Sequence, residues 1–205
     1  MREVTGVGLL GRRGATDEER ARLAPGQHLV RDFPILHAGS IPYREAPPDW
    51  DFRVWGAVET PLRWTMEELR SQDVARQTCD IHCVTTWTKL DTVWEGIAVA
   101  PLLRSLGLED RASHVVAHSE EGYTANIPLD VALRDDVMLA YRFDGAELEP
   151  EHGGPLRLLV PSLYFWKSAK WLRGLEVLDH DEPGFWERLG YSNSADPWKE
   201  ERYGF

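Results

Sequence analysis

A chain carrying thirteen Pro, seventeen Gly and nine Trp in 205 residues has little room for long helices. Pro and Gly set turns, and Trp suits a pleated, half-buried surface, so strands, turns and irregular segments are favoured over a helical bundle. With 42% hydrophobic and 10% aromatic residues, the length suffices for one sizeable core. One domain with extensions is therefore expected.

Charge and hydropathy exclude several classes. Twenty-three Lys and Arg stand against 34 Asp and Glu, a net charge of −11, which argues against nucleic acid or an anionic membrane surface as partner. No run of eighteen apolar residues is present, so no membrane segment is expected. Arg12-Arg13 is followed by Gly14-Ala15-Thr16-Asp17-Glu18, where a twin-arginine signal requires an apolar stretch. The expected compartment is the cytoplasm, where the two cysteines stay as thiols.

The organisation reads as a polar arm over residues 1–27 and a body over 28–205. Within the arm, 16–23 suits a short exposed helix. Gly6-x-Gly8-x-x-Gly11 matches a dinucleotide fingerprint but lacks a preceding strand, so a flexible arm is the preferred reading. In the body, 51–58 reads as a strand, and Thr65-Met66-Glu67-Glu68 has the form of a capping box that starts a helix. Strands are expected over 76–86, 114–118, 122–127, 137–143, 156–160 and 171–178, with a helix over 101–108 that carries Pro101 in its first turn. The resulting class is α+β, strand-rich, with short helices and no regular strand–helix alternation.

Four stretches carry candidate chemistry. Cys79, His82 and Cys83 invite a zinc site, but on an extended segment the two thiols lie roughly 13 Å apart and His82 faces the other way. Burial of both thiols as small hydrophobes is the bland reading; alternatively, Cys83 supplies one bond to a metal already held by an organic cofactor. His152-Gly153-Gly154-Pro155-Leu156-Arg157 and Lys167-Ser168-Ala169-Lys170-Trp171 place a tight turn beside three cations and a hydroxyl. Such a cluster in an acidic protein suits a phosphate, or else a row of solvated strand-end charges. Tyr123 and Asp130 suit proton transfer or oxyanion orientation, or packing and a helix cap.

Together these stretches resemble the sulfite oxidase and methionine-sulfoxide reductase catalytic subunit family, built on a molybdopterin-dependent oxidoreductase domain. The likeness rests on Cys83-Val84-x-x-Trp87, Gly122-Tyr123-Thr124-x-Asn126-x-Pro128-Leu129-Asp130, Gly154-Pro155-Leu156-Arg157-Leu158-x-Val160-Pro161, Lys167-Ser168-Ala169-Lys170-Trp171-Leu172 and Asp196-Pro197-Trp198. It extends from about residue 33 to the C-terminus. The resemblance implies a mixed-sheet, sulfite-oxidase-type molybdopterin-binding fold, with molybdenum and molybdopterin as cofactors. It implies Cys83 as the molybdenum ligand, a role suited to a soft thiolate. His37, Ser119, His152, Arg157, Lys167, Ser168 and Lys170 become cofactor contacts, and Tyr123 a hydrogen-bond donor to a developing oxyanion, supported by Asp130.

The implied activity is two-electron oxygen-atom transfer on a small oxo-anion or sulfoxide-type substrate, with a separate electron-transfer protein as partner. Sulfite would need several cations, for which Arg53, Arg104 and Arg142 are candidates. Two other readings stand beside this one: a non-catalytic module that keeps the fold for protein contacts, and a thiol redox protein using Cys79 and Cys83.

Overall fold

The computed structural model describes residues 14–204. The Gly6–Gly11 run and the start of the arm lie outside the described residues. Its strands are β1 (His28–Leu29), β2 (Asp51–Gly56), β3 (Leu62–Thr65), β4 (Ala75–His82), β5 (Trp87–Ala98), β6 (His114–Ser119), β7 (Thr124–Pro128), β8 (Met138–Phe143), β9 (Ala146–Glu147), β10 (Arg157–Leu159) and β11 (Leu172–Leu178). Its α-helices are α1 (Asp17–Ala21), α2 (Met66–Arg70), α3 (Val99–Ser105) and α4 (Leu129–Ala132). The class is α+β, as composition and punctuation require.

Two mixed sheets share the strands. In the first, β5 pairs antiparallel with β4 and β8, β8 continues to β10 and β9, and β1 joins the start of β5 in parallel. The second runs β3-β2-β11-β6-β7, with β2 and β11 parallel and the other pairs antiparallel. Strand β8 shows how the core is built. Leu139 and Tyr141 join a large cluster with Phe52, Val54, Leu103, Leu156 and Leu175, while Met138 and Ala140 join a smaller one with Ile81, Trp87, Trp94 and Phe165. Successive side chains of a strand point to opposite faces, so β8 is buried on both. Each fully buried side chain such as Leu139 contributes roughly 1.5–3 kcal/mol relative to exposure.

Local signals account for the short helices. Thr65 accepts the amide of Glu68 and Glu68 returns a bond to the Thr65 amide, the reciprocal capping box expected for α2. Thr16 and Glu19 do the same for α1, which buries no residue. The segment after α1 runs along the body: Ala24 is buried, and Arg22 bonds Asp80 and Asp91.

Two sequence expectations change. Strand β4 stops at His82, and residues 83–86 form a turn in which Thr86 N–H donates to Cys83 O at 3.0 Å. Cys83 thus sits on a hairpin tip and not within a strand. The twelve-residue β5 was not anticipated, although Thr88, Leu90, Thr92 and Trp94 alternate inward with period two. Thr at two inward positions hides that signal, because the alternation appears only when threonine counts as buried.

Candidate active site

The β4–β5 tip, the segment 33–39, the stretch 165–171 and the segment 185–191 enclose a cavity of about 390 Å³. Cys83 lines it, and its Sγ lies 3.1 Å from Thr85 Oγ1. Burial pushes the thiol pKa up, while hydrogen bonding from Thr85 and the charges of Arg202 and Lys170 act in the opposite direction. Cys79 lies outside this cavity, half-buried, with Sγ 3.6 Å from Thr92 Oγ1. A β-bulge between Cys79 and Ile81 further separates the two thiols' environments.

Two cations face the same cavity. Arg157 is buried and gives its guanidinium to backbone oxygens, Nη1 to His152 at 2.7 Å and Nη2 to Ser168 at 2.8 Å, over the Phe165 ring. Complete burial pulls its pKa down to about 9. Lys170 Nζ donates to Leu36 O at 2.8 Å and Glu151 O at 2.6 Å, and burial together with Arg157 pulls its pKa down to about 7. Gly153, at φ +104°, leaves the space that Lys170 occupies, since a Cβ there would lie 2.8 Å from Lys170 Cβ. Among the described residues neither cation forms a salt bridge with a carboxylate. Ser168 Oγ accepts the Val160 amide at 2.9 Å, which leaves its O–H as the donor it can offer.

The other expected residues divide. His37 stands on the rim, exposed, with Nδ1 3.0 Å from Gly39 O. Ser119 and His152 are buried just outside the wall, and among the described residues Ser119 Oγ and His152 Nδ1 have no hydrogen-bond partner. His152 stacks on Phe33 with ring centroids 3.9 Å apart, and burial beside Lys170 and Arg157 pushes its pKa to about 4. Tyr123 lines the cavity, but its O–H is given to Trp166 O at 2.6 Å, so it presents lone pairs there and not the expected proton. Burial and the nearby Glu187 charge hold its pKa well above the usual range.

Lys167 and Asp130 do not reach the cavity. Lys167 Nζ is satisfied by Asn126 O, Asn126 Oδ1 and Glu187 Oε1, three acceptors for its three N–H groups. Asp130 is exposed in the first turn of α4. Lys167 ends the 3₁₀ turn of residues 165–167 and Ser168 leaves it at ψ 74°, so the threefold repeat that would align Lys170 with Lys167 is broken. Arg53 pairs with Asp51, Arg142 with Glu95, and Arg104 lies near the Leu133 carbonyl, so none of the three lines the cavity.

Aromatic residues make up much of the remaining wall, among them Trp87, Phe165, Trp166, Phe185, Trp186 and Tyr191. Two residues that sequence reasoning did not select hold the Cys83 turn from behind: Gln27 Nε2 donates to Cys83 O at 3.1 Å and Arg202 Nη1 to Val84 O at 2.6 Å. No local motif marks either one.

The chain was compared with known proteins. The family described as the oxidoreductase molybdopterin binding domain matches residues 38–186. The uncharacterized oxidoreductase YuiH of Bacillus subtilis is 42% identical over 186 residues, covering 91% of this chain and 94% of that protein. The protein-methionine-sulfoxide reductase catalytic subunit MsrP of Gluconobacter oxydans is 30% identical over 161 residues, 70% of this chain and 51% of that protein. The chain therefore spans nearly all of the first relative and about half of the second. The sulfane dehydrogenase SoxCD of Paracoccus pantotrophus shares the fold, with a TM-score of 0.62 and 20% identity over 92% of this chain and 58% of that one. No helix among the described residues is long and apolar enough to cross a membrane. A buried thiol and two cations without carboxylate partners, gathered on one cavity within residues that match this domain, are accounted for together: the chain is an oxidoreductase and belongs to the oxidoreductase molybdopterin binding domain family.

Proposed function

We propose that the chain catalyses oxygen-atom transfer on a small, neutral, sulfoxide-type substrate, with Cys83 Sγ as the protein's ligand to molybdenum. The observation that carries this reading is the cavity that Cys83 shares with the buried Arg157 and the half-buried Lys170, two cations lacking carboxylate partners among the described residues. An uncompensated buried charge is costly, and an anionic cofactor removes that cost. The orphaned Ser119 Oγ and His152 Nδ1 beside the wall fit the same polar group. Ser168 offers its hydroxyl, and His37 stands at the entrance.

The cofactor, when bound, supplies the two-electron redox chemistry. The chain's residues do the rest. Aromatic side chains exclude water from the cavity, which strengthens electrostatic interactions within it. Tyr123 keeps its proton and fixes the Trp166 backbone. Lys170 Nζ, whose pKa burial and Arg157 pull down, is held in its protonated form by an anionic neighbour.

The wall favours a neutral substrate over sulfite. The three arginines named above lie elsewhere, and Glu121 adds negative charge at the cavity, while Glu120 is paired with Arg173. Electrons then come from or go to a separate protein. The test is metal analysis followed by a substrate screen with artificial electron donors and acceptors. About one molybdenum per chain with turnover of sulfoxides is expected. Turnover of sulfite without sulfoxides would overturn the substrate assignment, and a purified protein free of metal and pterin would favour a non-catalytic module.

A further inference from the structure

Two stretches outside residues 38–186, the part matched by the family, meet beneath the turn that carries Cys83. Cys83 O accepts Thr86 N–H and also Gln27 Nε2, Val84 O accepts Arg202 Nη1, and Thr86 O accepts the His28 amide at 2.8 Å. Three of the four carbonyls of the 83–86 turn are thus tied to residues from the two ends of the chain. The turn itself needs holding, because Thr86 adopts φ +75°, a left-handed conformation that a β-branched residue adopts at a cost.

Arg202 is well fixed for this task. Its guanidinium lies over the Tyr164 ring, 5.0 Å from the centroid, and Nη2 donates to Pro25 O at 3.3 Å. Gly26, at φ +67°, admits the crossing: an added Cβ would lie 2.6 Å from Glu200 Oε1 and 3.1 Å from Arg202 Nη2. Neither Gln27 nor Arg202 lines the cavity, so neither meets substrate.

We infer that Gln27 and Arg202 form a clamp that fixes the direction in which Cys83 presents its sulfur, making both of them positioning residues for the metal ligand. The inference rests on the reading of Cys83 as that ligand. A rigid turn holds the sulfur in one orientation, and a ligand whose supporting hydrogen bonds are removed samples several.

The test compares Arg202→Met, Gln27→Leu and Cys83→Ser in the full chain. In cofactor-free protein, amide exchange over residues 83–87 should speed about ten-fold in the first two variants, the effect of losing one buried hydrogen bond, while β8 exchanges as before. In loaded protein poised at Mo(V) by partial reduction with a chemical reductant, both should keep their molybdenum but show a shifted electron paramagnetic resonance spectrum, and Arg202→Lys should restore part of it. If Arg202→Met does not fold, Gln27→Leu carries the test through the Cys83 carbonyl alone. Unchanged exchange and spectrum in the clamp variants, with an altered or lost spectrum in Cys83→Ser, overturns the clamp alone. An unchanged spectrum with full metal content in Cys83→Ser overturns the ligand reading and the clamp's role with it.

Discussion

Lys167 and Glu187 form a salt bridge of 2.6 Å in which both side chains are almost wholly removed from solvent. The same carboxylate oxygen accepts Trp166 Nε1 at 2.7 Å, and Glu187 belongs to the segment that brings Phe185, Trp186 and Tyr191 to the cavity. The pair therefore braces one wall of the site.

Removing one partner of such a pair strands a buried charge. Lys167→Met should cost about 3–5 kcal/mol in stability, and Lys167→Met with Glu187→Leu should recover much of it. Denaturant unfolding checks both. Cofactor content per folded chain should stay near that of the parent, the outcome that separates a brace from a cofactor contact.

Cys83→Ser should abolish turnover and strip or weaken molybdenum while leaving the fold in place. Cys79→Ser, outside the cavity, should cost about 1 kcal/mol or less and keep activity. Metal analysis beside circular dichroism distinguishes the two thiols. Full activity in Cys83→Ser would refute the assignment.

Lys170→Met removes a cation that faces the cavity without a carboxylate partner. A charge-assisted hydrogen bond lost to an anionic cofactor should weaken retention by about ten- to a hundred-fold. Pterin released on dilution or dialysis measures it. The unloaded variant should be no less stable than the unloaded parent, because a desolvated ammonium has been removed.

Asp51 gives a pH signature away from the site. Burial alone would raise its pKa, but hydrogen bonds from Arg53, Arg173 and Arg63 outweigh that and hold the carboxyl well below the usual range. A carboxyl with a depressed folded pKa contributes stability that is fully present above its unfolded pKa, roughly 4, and fades as pH falls toward the folded one. Asp51→Asn should cost about 2 kcal/mol at pH 7, below the full buried-pair value because Arg53 and Arg63 are largely exposed. The gap between variant and parent should narrow progressively below about pH 4 in acid unfolding.

Much of the fold was legible because its signals are local. The Thr65–Glu68 capping box, the β-prone runs over β2, β6, β8 and β11, and the exposed α1 follow from neighbouring residues alone. Strand β5 was missed because two of its inward positions are Thr. The strand expected over 76–86 overran into the turn because nothing in Cys83-Val84-Thr85-Thr86 signals that Thr86 will turn left-handed.

The sequence by itself determined a strand-rich α+β domain, singled out Cys83, Arg157, Ser168 and Lys170, and supported the family through ordered motifs. The fold class follows from residue type and spacing, and the residues from the motifs' resemblance to the family. Tertiary structure alone decided that Lys167 and Asp130 turn away from the cavity, that Tyr123 spends its proton on Trp166, and that Gln27 and Arg202 meet beneath Cys83. The last pair are 175 residues apart in a chain of 205. Their convergence depends on how the two sheets and the segments around residues 22–29 and 202 pack together, and no local pattern of charge or hydropathy encodes such a contact.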